Sequence, residues 1–114
     1  MSIDQPNTVD IIALGRENTV LLTISDHLDW TDVKSHLYAL QEKVNTYCQF
    51  IESGQLYNQM KEARDMRPVI EHVFFHEPPA AVAPTVTRLN SLLEERNILF
   101  RSRPYGKKSE FTPG

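Results

Sequence analysis

The sequence predicts an α+β fold, a two-layer sandwich in which two main helices cover one face of a four-stranded, mixed or antiparallel sheet. Three observations predict it: an opening pair of short strands, two later strands that alternate with helices, and a single apolar face on most elements. An element with one apolar face must bury it against another element, which favours two layers. The predicted order is β-β-α-(short α)-β-α-β. The strands are predicted at residues 9–14, 20–24, 69–76 and 98–103, and the main helices at 31–53 and 81–96.

Residues 9–25 are predicted to form a β-hairpin that starts the sheet. Apolar residues alternate along both halves, at Val9, Ile11 and Ala13 and then at Val20, Leu22 and Ile24. The connecting segment 15–18 is of a length that joins two antiparallel strands.

The segment 31–53 has the periodicity of an amphipathic helix. Its apolar residues recur at steps of three and four, namely Val33, Leu37, Leu40, Val44, Tyr47, Cys48 and Ile51. We predict Asp29 as the N-cap, because its carboxylate can accept the free N–H groups of the first turn. A hydrophobic staple between Leu28 and Val33 goes with that cap. Gly54 is predicted to end the helix in a left-handed conformation.

The second half of the chain alternates strand and helix. A short helical piece is predicted at 55–64. Pro78 and Pro79 end the third strand, because neither can donate a hydrogen bond to a sheet. Pro84 suits the second main helix only in its first turn, and Asn97 is predicted as the left-handed residue that follows this helix.

Length and composition indicate one domain. We predict a single α+β domain at residues 1–103 and a flexible C-terminal tail at 104–114, where small and polar residues dominate. The net charge of −3 gives no general attraction for nucleic acid, and no apolar segment approaches the length of a membrane span. The lack of a signal-peptide pattern and the single Cys48, which can form no internal disulfide, predict a reducing, cytoplasmic location.

Three segments carry a resemblance to a known family: the opening residues 2–7, the run LTISDHLDW at 22–30, and the helical segment 40–54. They resemble a family of small uncharacterised bacterial proteins, a domain of unknown function, with an ISDHLDW-type corner between strand and helix. The resemblance implies a bacterial source and supports the order of elements. It implies no activity and no functional residues.

The corner between the second strand and the first helix is the first candidate site. Asp26, His27 and Asp29 could supply a general base or hold a divalent metal ion, and Trp30 is the only tryptophan of the chain. The alternative is structural, since helix capping and turn formation account for these carboxylates and no complete metal-binding motif occurs. We favour the structural role.

The predicted third strand carries the second group of candidates. His72, Phe74 and His76 lie on one side of it, and Val73 and Phe75 on the other. His72 and His76 are about 13 Å apart along a strand, too far to share one metal ion, although either could join Asp26 and His27 from a neighbouring strand. Only one side can face the helices, so aromatic surface is left over, and a second copy covering it predicts a homodimer. The alternative is that this is a sheet edge shielded by the C-terminal tail.

A basic segment with aromatic residues follows the last strand: Arg101, Arg103, Tyr105, Lys107, Lys108 and Phe111. Such a segment could contact RNA or an acidic protein, but four positive charges are more often a solvated chain end. We therefore predict no nucleic-acid partner.

The function predicted from these observations is a non-catalytic, cytosolic protein that self-associates or binds a protein partner. The alternative is a small metal-dependent enzyme or metal-binding protein that uses Asp26, His27 and a histidine of the third strand. We assign no catalytic residue, metal ligand or cofactor, and expect no membrane partner. The candidate binding residues are Asp26, His27, Trp30, His72, Phe74 and His76.

Overall fold

The computed structural model describes residues 2–4, 9 and 11–112. Four strands form one mixed sheet in the order β1-β2-β3-β4, with β1 antiparallel to β2 and the other neighbouring pairs parallel. The predicted α+β class, the mixed sheet and the order of elements are confirmed. The strands are β1 (Ile11–Leu14), β2 (Thr19–Asp26), β3 (Arg67–Phe74) and β4 (Leu99–Pro104).

Helices connect the parallel strands. Between β2 and β3 lie α1 (Val33–Glu52) and α2 (Gln55–Gln59), and between β3 and β4 lies α3 (Ala83–Glu94). Short 3-10 turns occur at Ser2–Asp4, Lys61–Asp65 and Ala80–Val82. Crossover connections of this kind are right-handed as a rule, and two successive ones in the same direction place their helices on the same face of the sheet.

The core lies between that face and the helices. It comprises apolar residues from the sheet and from both main helices, including Val20, Leu22, Ile24, Leu40, Val44, Tyr47, Ile51, Ile70, Leu93 and Phe100. Alternate residues of the central strands point into it, so Ile70, His72 and Phe74 face the helices while Val69, Glu71 and Val73 lie on the far side.

The N-terminus of α1 differs from the prediction. Asp32, not Asp29, is the N-cap, and it accepts a hydrogen bond from the Ser35 N–H at 3.1 Å. The Asp29 carboxylate instead accepts the Thr31 N–H at 3.0 Å, so it closes a turn before the helix. With the cap three residues later, Leu28 and Val33 no longer occupy the staple positions, and that prediction is wrong.

The other ends of the elements follow local chemistry. Gly54 and Asn97 have φ values of +89° and +63°, as predicted for left-handed residues after helices. Pro84 lies in the first turn of α3, also as predicted. The third strand, however, ends at Phe74 rather than His76, because β2, its partner, ends at Asp26. The last strand continues through Pro104, one residue into the segment predicted as a tail.

The chain after β4 folds back over the far side of the sheet. Ser109 is buried and its hydroxyl donates a hydrogen bond to the buried Glu71 carboxylate at 2.5 Å. The Phe111 carbonyl accepts the Arg16 N–H at 2.8 Å. These contacts place part of the C-terminal segment against the far side at Glu71, while Phe75 and Tyr105 on the same side stay exposed. The flexibility of residues 104–114 stays a prediction.

Candidate metal centre

Three buried polar side chains from three elements meet at the carboxyl ends of the central strands. Asp26 is the last residue of β2, His72 lies near the end of β3, and His36 lies in the first turn of α1. Their exposed fractions are 0%, 0% and 3%. The carboxyl ends of parallel strands are where open α/β sheets place their ligand sites.

The two histidines point the same ring nitrogen at one carboxylate oxygen. Oδ2 of Asp26 lies 2.5 Å from Nε2 of His36 and 2.6 Å from Nε2 of His72. The other carboxylate oxygen, Oδ1, accepts the Leu28 N–H at 3.1 Å. One nitrogen from each histidine and one oxygen from Asp26 lie within 4.8 Å of one another, so all three atoms can reach a single small ion.

The outer nitrogens of both rings are also bonded. Nδ1 of His36 lies 2.9 Å from the Asp29 carbonyl oxygen, and Nδ1 of His72 lies 2.6 Å from the Ser102 hydroxyl. Metal-binding histidines characteristically anchor the second ring nitrogen on a carbonyl or another acceptor, which fixes the tautomer and the ring orientation. Both rings are therefore held with Nε2 directed at the cluster.

The two hydrogen-bond contacts of the His36 ring show that a positive species is required between His36 and Asp26. A carbonyl oxygen can only accept, so Nδ1 of His36 carries a proton. In the neutral ring Nε2 is then a bare acceptor, and it faces a second acceptor, Oδ2 of Asp26, at 2.5 Å. Two acceptors at that distance need a positive species between them. A shared proton or a metal ion can supply it.

The electrostatics of Asp26 favour a cation as well. Burial raises the pKa of this carboxyl group, but the hydrogen bonds and charges of His72 and His36 outweigh burial and hold the pKa below its ordinary value. The carboxylate therefore stays ionised in a dry environment, where a negative charge without a counterion is costly.

The donor set and its spacing suit a divalent transition metal. Two imidazole nitrogens and one carboxylate oxygen are ligands of zinc and its neighbours in the first transition row. Around a tetrahedral ion with bonds of 2.0–2.1 Å, ligand atoms lie about 3.3 Å apart, so each Nε2 would move less than 1 Å away from Oδ2 of Asp26 to admit one. Asp26, His36 and His72 could hold such an ion without a change of fold.

The sequence matches one family of known proteins. The sequence profile of the family of unknown function DUF6572 matches residues 1–105. The chain belongs to this family. The predicted resemblance to a domain of unknown function is thereby confirmed, while the bacterial source and the ISDHLDW corner as its signature stay predictions. Neither a curated protein nor a solved structure matches the chain.

Trp30 closes the cluster on the side of the corner. Its ring stacks on the His36 imidazole with centroids 3.5 Å apart and an interplanar angle of 13°. Its indole N–H donates to the His76 carbonyl oxygen at 2.9 Å, which fastens the corner to the end of β3. The only tryptophan of the chain therefore reports directly on the environment of His36.

The structure separates the six residues singled out from the sequence. Asp26 and His72 are in the cluster, and Trp30 covers it. His27 is half exposed and lies 3.9 Å from the Asp4 carboxylate, outside the cluster. Phe74 is buried, and His76 contributes its backbone carbonyl.

Sequence reasoning missed His36, although a signal for it existed. His36 lies one turn before Leu40 on the stripe that continues through Val44, Tyr47 and Ile51, and all of these residues are buried. A histidine on the buried stripe of a helix needs polar partners in the core. The signal therefore indicates that His36 has a buried polar partner, but it does not identify that partner.

Among residues 2–4, 9 and 11–112, no helix combines the length and the apolar character needed to cross a bilayer.

Proposed function

We propose that this protein binds one divalent transition metal ion, with Zn²⁺ the best match, through Asp26, His36 and His72. The observation that carries the proposal is the 2.5 Å approach of Nε2 of His36 to the Asp26 carboxylate while Nδ1 is committed to a carbonyl. The anchored Nδ1 of His72 supports it. The proposal keeps the metal-binding alternative raised from the sequence but replaces His27 with His36.

The burial of the cluster supports binding without catalysis. All three ligands are at most 3% exposed, and Trp30 stacks over one of them, so a substrate has no open approach to the ion. Catalytic zinc sites keep a position that substrate can reach, and burial of the three ligands leaves none here. We infer that the ion would join β2, α1 and β3 and so stabilise the fold.

Metal titration tests the proposal. Protein stripped with a chelator and dialysed should take up one Zn²⁺ per chain, measured by competition with a chromophoric chelator. His36→Ala and His72→Ala should each abolish uptake. His27→Ala is the matched control, because His27 neighbours Asp26 in sequence but lies outside the cluster, and it should bind zinc like the parent. Uptake that depends on His27 and not on His36 would overturn the assignment.

A second measurement needs no variant and so does not depend on whether variants fold. Long-range ¹H–¹⁵N spectra of the imidazoles report which ring nitrogen carries a proton. Added Zn²⁺ should leave both His36 and His72 protonated at Nδ1 only, with Nε2 bound to the metal. If Nε2 of either ring keeps its proton at saturating zinc, the cluster is a proton-bridged network and the proposal fails.

A second candidate function is the protein-interaction module predicted from the sequence. Its support is a pair of exposed aromatic rings on the far side of the sheet. Phe75 and Tyr105 stack with centroids 4.4 Å apart and remain 50% and 68% exposed. Exposed aromatic surface of this kind is enriched at protein interfaces. A homodimer is the form predicted from the sequence, although Phe74, expected to take part, is buried against the helices.

Solution mass tests this second function. Light scattering after gel filtration should give twice the chain mass if Phe75 and Tyr105 lie in a dimer interface, and Phe75→Ser should return the protein to a monomer. Tyr38→Ser is the matched control, because Tyr38 is 66% exposed on α1 and far from the pair in the fold. A dimer that survives Phe75→Ser would place the interface elsewhere.

The proposed location is the cytoplasm. The support is Cys48, a single thiol buried on α1, which has no disulfide partner and needs none in a reducing compartment. Fractionation of cells that produce the protein, with detection in the periplasmic or secreted fraction, would contradict it.

A further inference from the structure

A groove on the far side of the sheet combines positive charge with the exposed aromatic pair. It has a volume of about 450 Å³ and lies between the ends of β2, β3 and β4 and the turn that follows β4. The residues that define it are Phe75, Arg103, Tyr105, Lys107 and Lys108. Most of the basic segment noted in the sequence therefore lines one concave surface instead of ending in solvent.

We propose that this groove binds an acidic peptide segment of a partner protein, with an aromatic or apolar side chain seated on Phe75 and Tyr105. The inference rests on the second proposed function, protein interaction, and names the chemistry of the partner. It is independent of the metal centre, which lies on the helix-covered side of the sheet.

The positive charges at the groove are available to a ligand. Lys107 and Lys108 are exposed and form no ion pair among residues 2–4, 9 and 11–112. Arg103 has a different role: its guanidinium donates to the Lys107 carbonyl oxygen at 2.5 Å and lies 3.6 Å from the Glu71 carboxylate. Arg103 thus anchors the turn from which Lys107 and Lys108 line the groove. In a chain of net charge −3, this is a local concentration of positive charge.

The floor of the groove supplies apolar contact. Val73 lies in the floor beside the stacked rings of Phe75 and Tyr105. The Phe75 N–H donates to the Asp26 carbonyl oxygen and the Tyr105 N–H to the Phe74 carbonyl oxygen, so the backbone at both rings is anchored to the sheet. Rigid aromatic residues of this kind lose little entropy on binding, which suits them as anchors for a partner side chain.

Charge distinguishes an acidic partner from other occupants. In a two-fold dimer the same surface meets itself, so two copies joined here would place Lys107 and Lys108 of both chains in one interface. Like charges gathered in one interface oppose the contact, so of the two forms of the interaction function the groove favours an acidic partner over a homodimer. Nucleic acid usually requires more phosphate contacts than two free ammonium groups supply, since each contact adds a modest, salt-sensitive increment. A short acidic segment with an apolar side chain matches the charge and the apolar floor of the groove.

Fluorescence anisotropy with defined peptides tests the inference. The probe is a fluorescein-labelled octapeptide of glutamate and aspartate with one central phenylalanine. We expect saturable binding to the full chain that weakens at least tenfold in Lys107→Glu/Lys108→Glu and in Tyr105→Ser. The matched control, Lys34→Glu/Lys61→Glu, reverses two exposed lysines elsewhere and should bind like the parent. A peptide with serine in place of phenylalanine should bind more weakly.

The outcomes separate this inference from the function on which it rests. Absence of peptide binding, or equal loss in both double variants, overturns the inference. If light scattering nevertheless shows a dimer sensitive to Phe75→Ser, the interaction function stands and only the acidic partner fails. A labelled twelve-residue oligothymidylate serves as a second probe. Tighter binding of that probe than of the acidic peptide would also overturn the inference, in favour of single-stranded nucleic acid.

Discussion

His36 shows how one residue can belong to the core and to a site at once. It occupies a buried position on α1, yet both of its ring nitrogens are engaged, one by the Asp29 carbonyl and the other by the Asp26 carboxylate. A buried imidazole without partners would cost stability, so the core must provide them. Asp26 provides a partner for His36 and His72 together, which makes this carboxylate the centre of the cluster.

Asp26→Asn should therefore have a large effect. The amide keeps the shape of the side chain but removes the charge that faces two imidazoles. We expect a loss of about 3–5 kcal/mol in the free energy of unfolding, as for one partner removed from a buried pair. Urea denaturation monitored by far-UV circular dichroism measures it. Asp29→Asn, at an exposed neighbour, should change stability far less, and equal effects would contradict the assigned role of Asp26.

Cys48 is expected to be unreactive in the native protein. It is 1% exposed, and burial raises the pKa of its thiol, so both access and the thiolate fraction are low. Ellman's reagent at pH 8 should react with the native protein only at the rate of unfolding and at once in guanidinium chloride. Rapid reaction without denaturant would show that this part of α1 opens readily.

At the scale of single elements, α1 illustrates how two carboxylates compete for one function. Asp29 and Asp32 both precede the helix, and either could accept its free N–H groups. The corner that carries Trp30 onto His36 uses Asp29 in a turn, which leaves Asp32 to cap the helix. The tertiary contact between Trp30 and His36 therefore goes together with the use of Asp32, and not Asp29, as the N-cap.

Asp32→Ala should destabilise the protein more than Asp29→Ala. Asp32 bonds to both the N–H and the hydroxyl of Ser35, and its loss should lower the Tm on the order of 4–8 °C in a domain of this size. The hydrogen bonds of Ser35 hold the pKa of Asp32 below its ordinary value. The stability that Asp32 adds over the alanine variant is therefore present above pH 3.8. It should disappear as the pH falls through the lower pKa that Asp32 has in the folded protein. If differential scanning calorimetry shows a larger fall in Tm for Asp29→Ala than for Asp32→Ala, Asp29 and not Asp32 caps the helix.

At the scale of the whole molecule, a polar contact on each face of the sheet joins it to the segment packed on that face. The cluster of Asp26, His36 and His72 joins the sheet to α1 on one side. On the other side Ser109 and Glu71 join the sheet to the returning C-terminal segment. Both contacts link residues far apart in the chain.

Zinc should stabilise the whole molecule if the cluster binds it. An ion that binds only the folded chain adds about 2.7 kcal/mol at a free concentration of 100 times its Kd, which should appear as a clear rise in Tm. The rise should vanish in His72→Ala and remain in His27→Ala. Because Trp30 stacks on His36, its fluorescence should change in the same titration. A Tm that does not respond to zinc would contradict a structural metal.

Ser109→Ala should show how much the C-terminal segment contributes. The change removes the hydroxyl donor of the buried Glu71 carboxylate and leaves it only the Arg103 ion pair at 3.6 Å, and the loss of such a bond to a buried acceptor costs about 1–3 kcal/mol. Chemical denaturation measures the loss. Ser91→Ala, at an exposed position on α3, is the control and should be close to neutral. A neutral Ser109→Ala would mean that the segment adds little to folding.

Much of the fold was predictable because the relevant signals are local. Alternation in β2 and the spacing of Leu40, Val44 and Ile51 in α1 depend only on neighbouring residues, and both elements formed where these patterns predicted. Gly54 and Asn97 ended their helices because left-handed conformations suit them. The site was only partly predictable: Asp26 and His72 were singled out, whereas His36 was not, because a buried position in a helix gives no indication of which strand it will meet.

The sequence by itself determined the α+β class, the order of elements, the single cysteine and the membership of a family of unknown function. These follow from periodicity, composition and sequence similarity, which are properties of short segments or of the linear sequence and do not depend on tertiary contacts. Only the tertiary structure decided the strand order, the side of β3 that faces the helices and the meeting of Asp26, His36 and His72. The physical reason is that these depend on contacts between residues up to 48 positions apart, which exist only once the crossovers have brought the elements together.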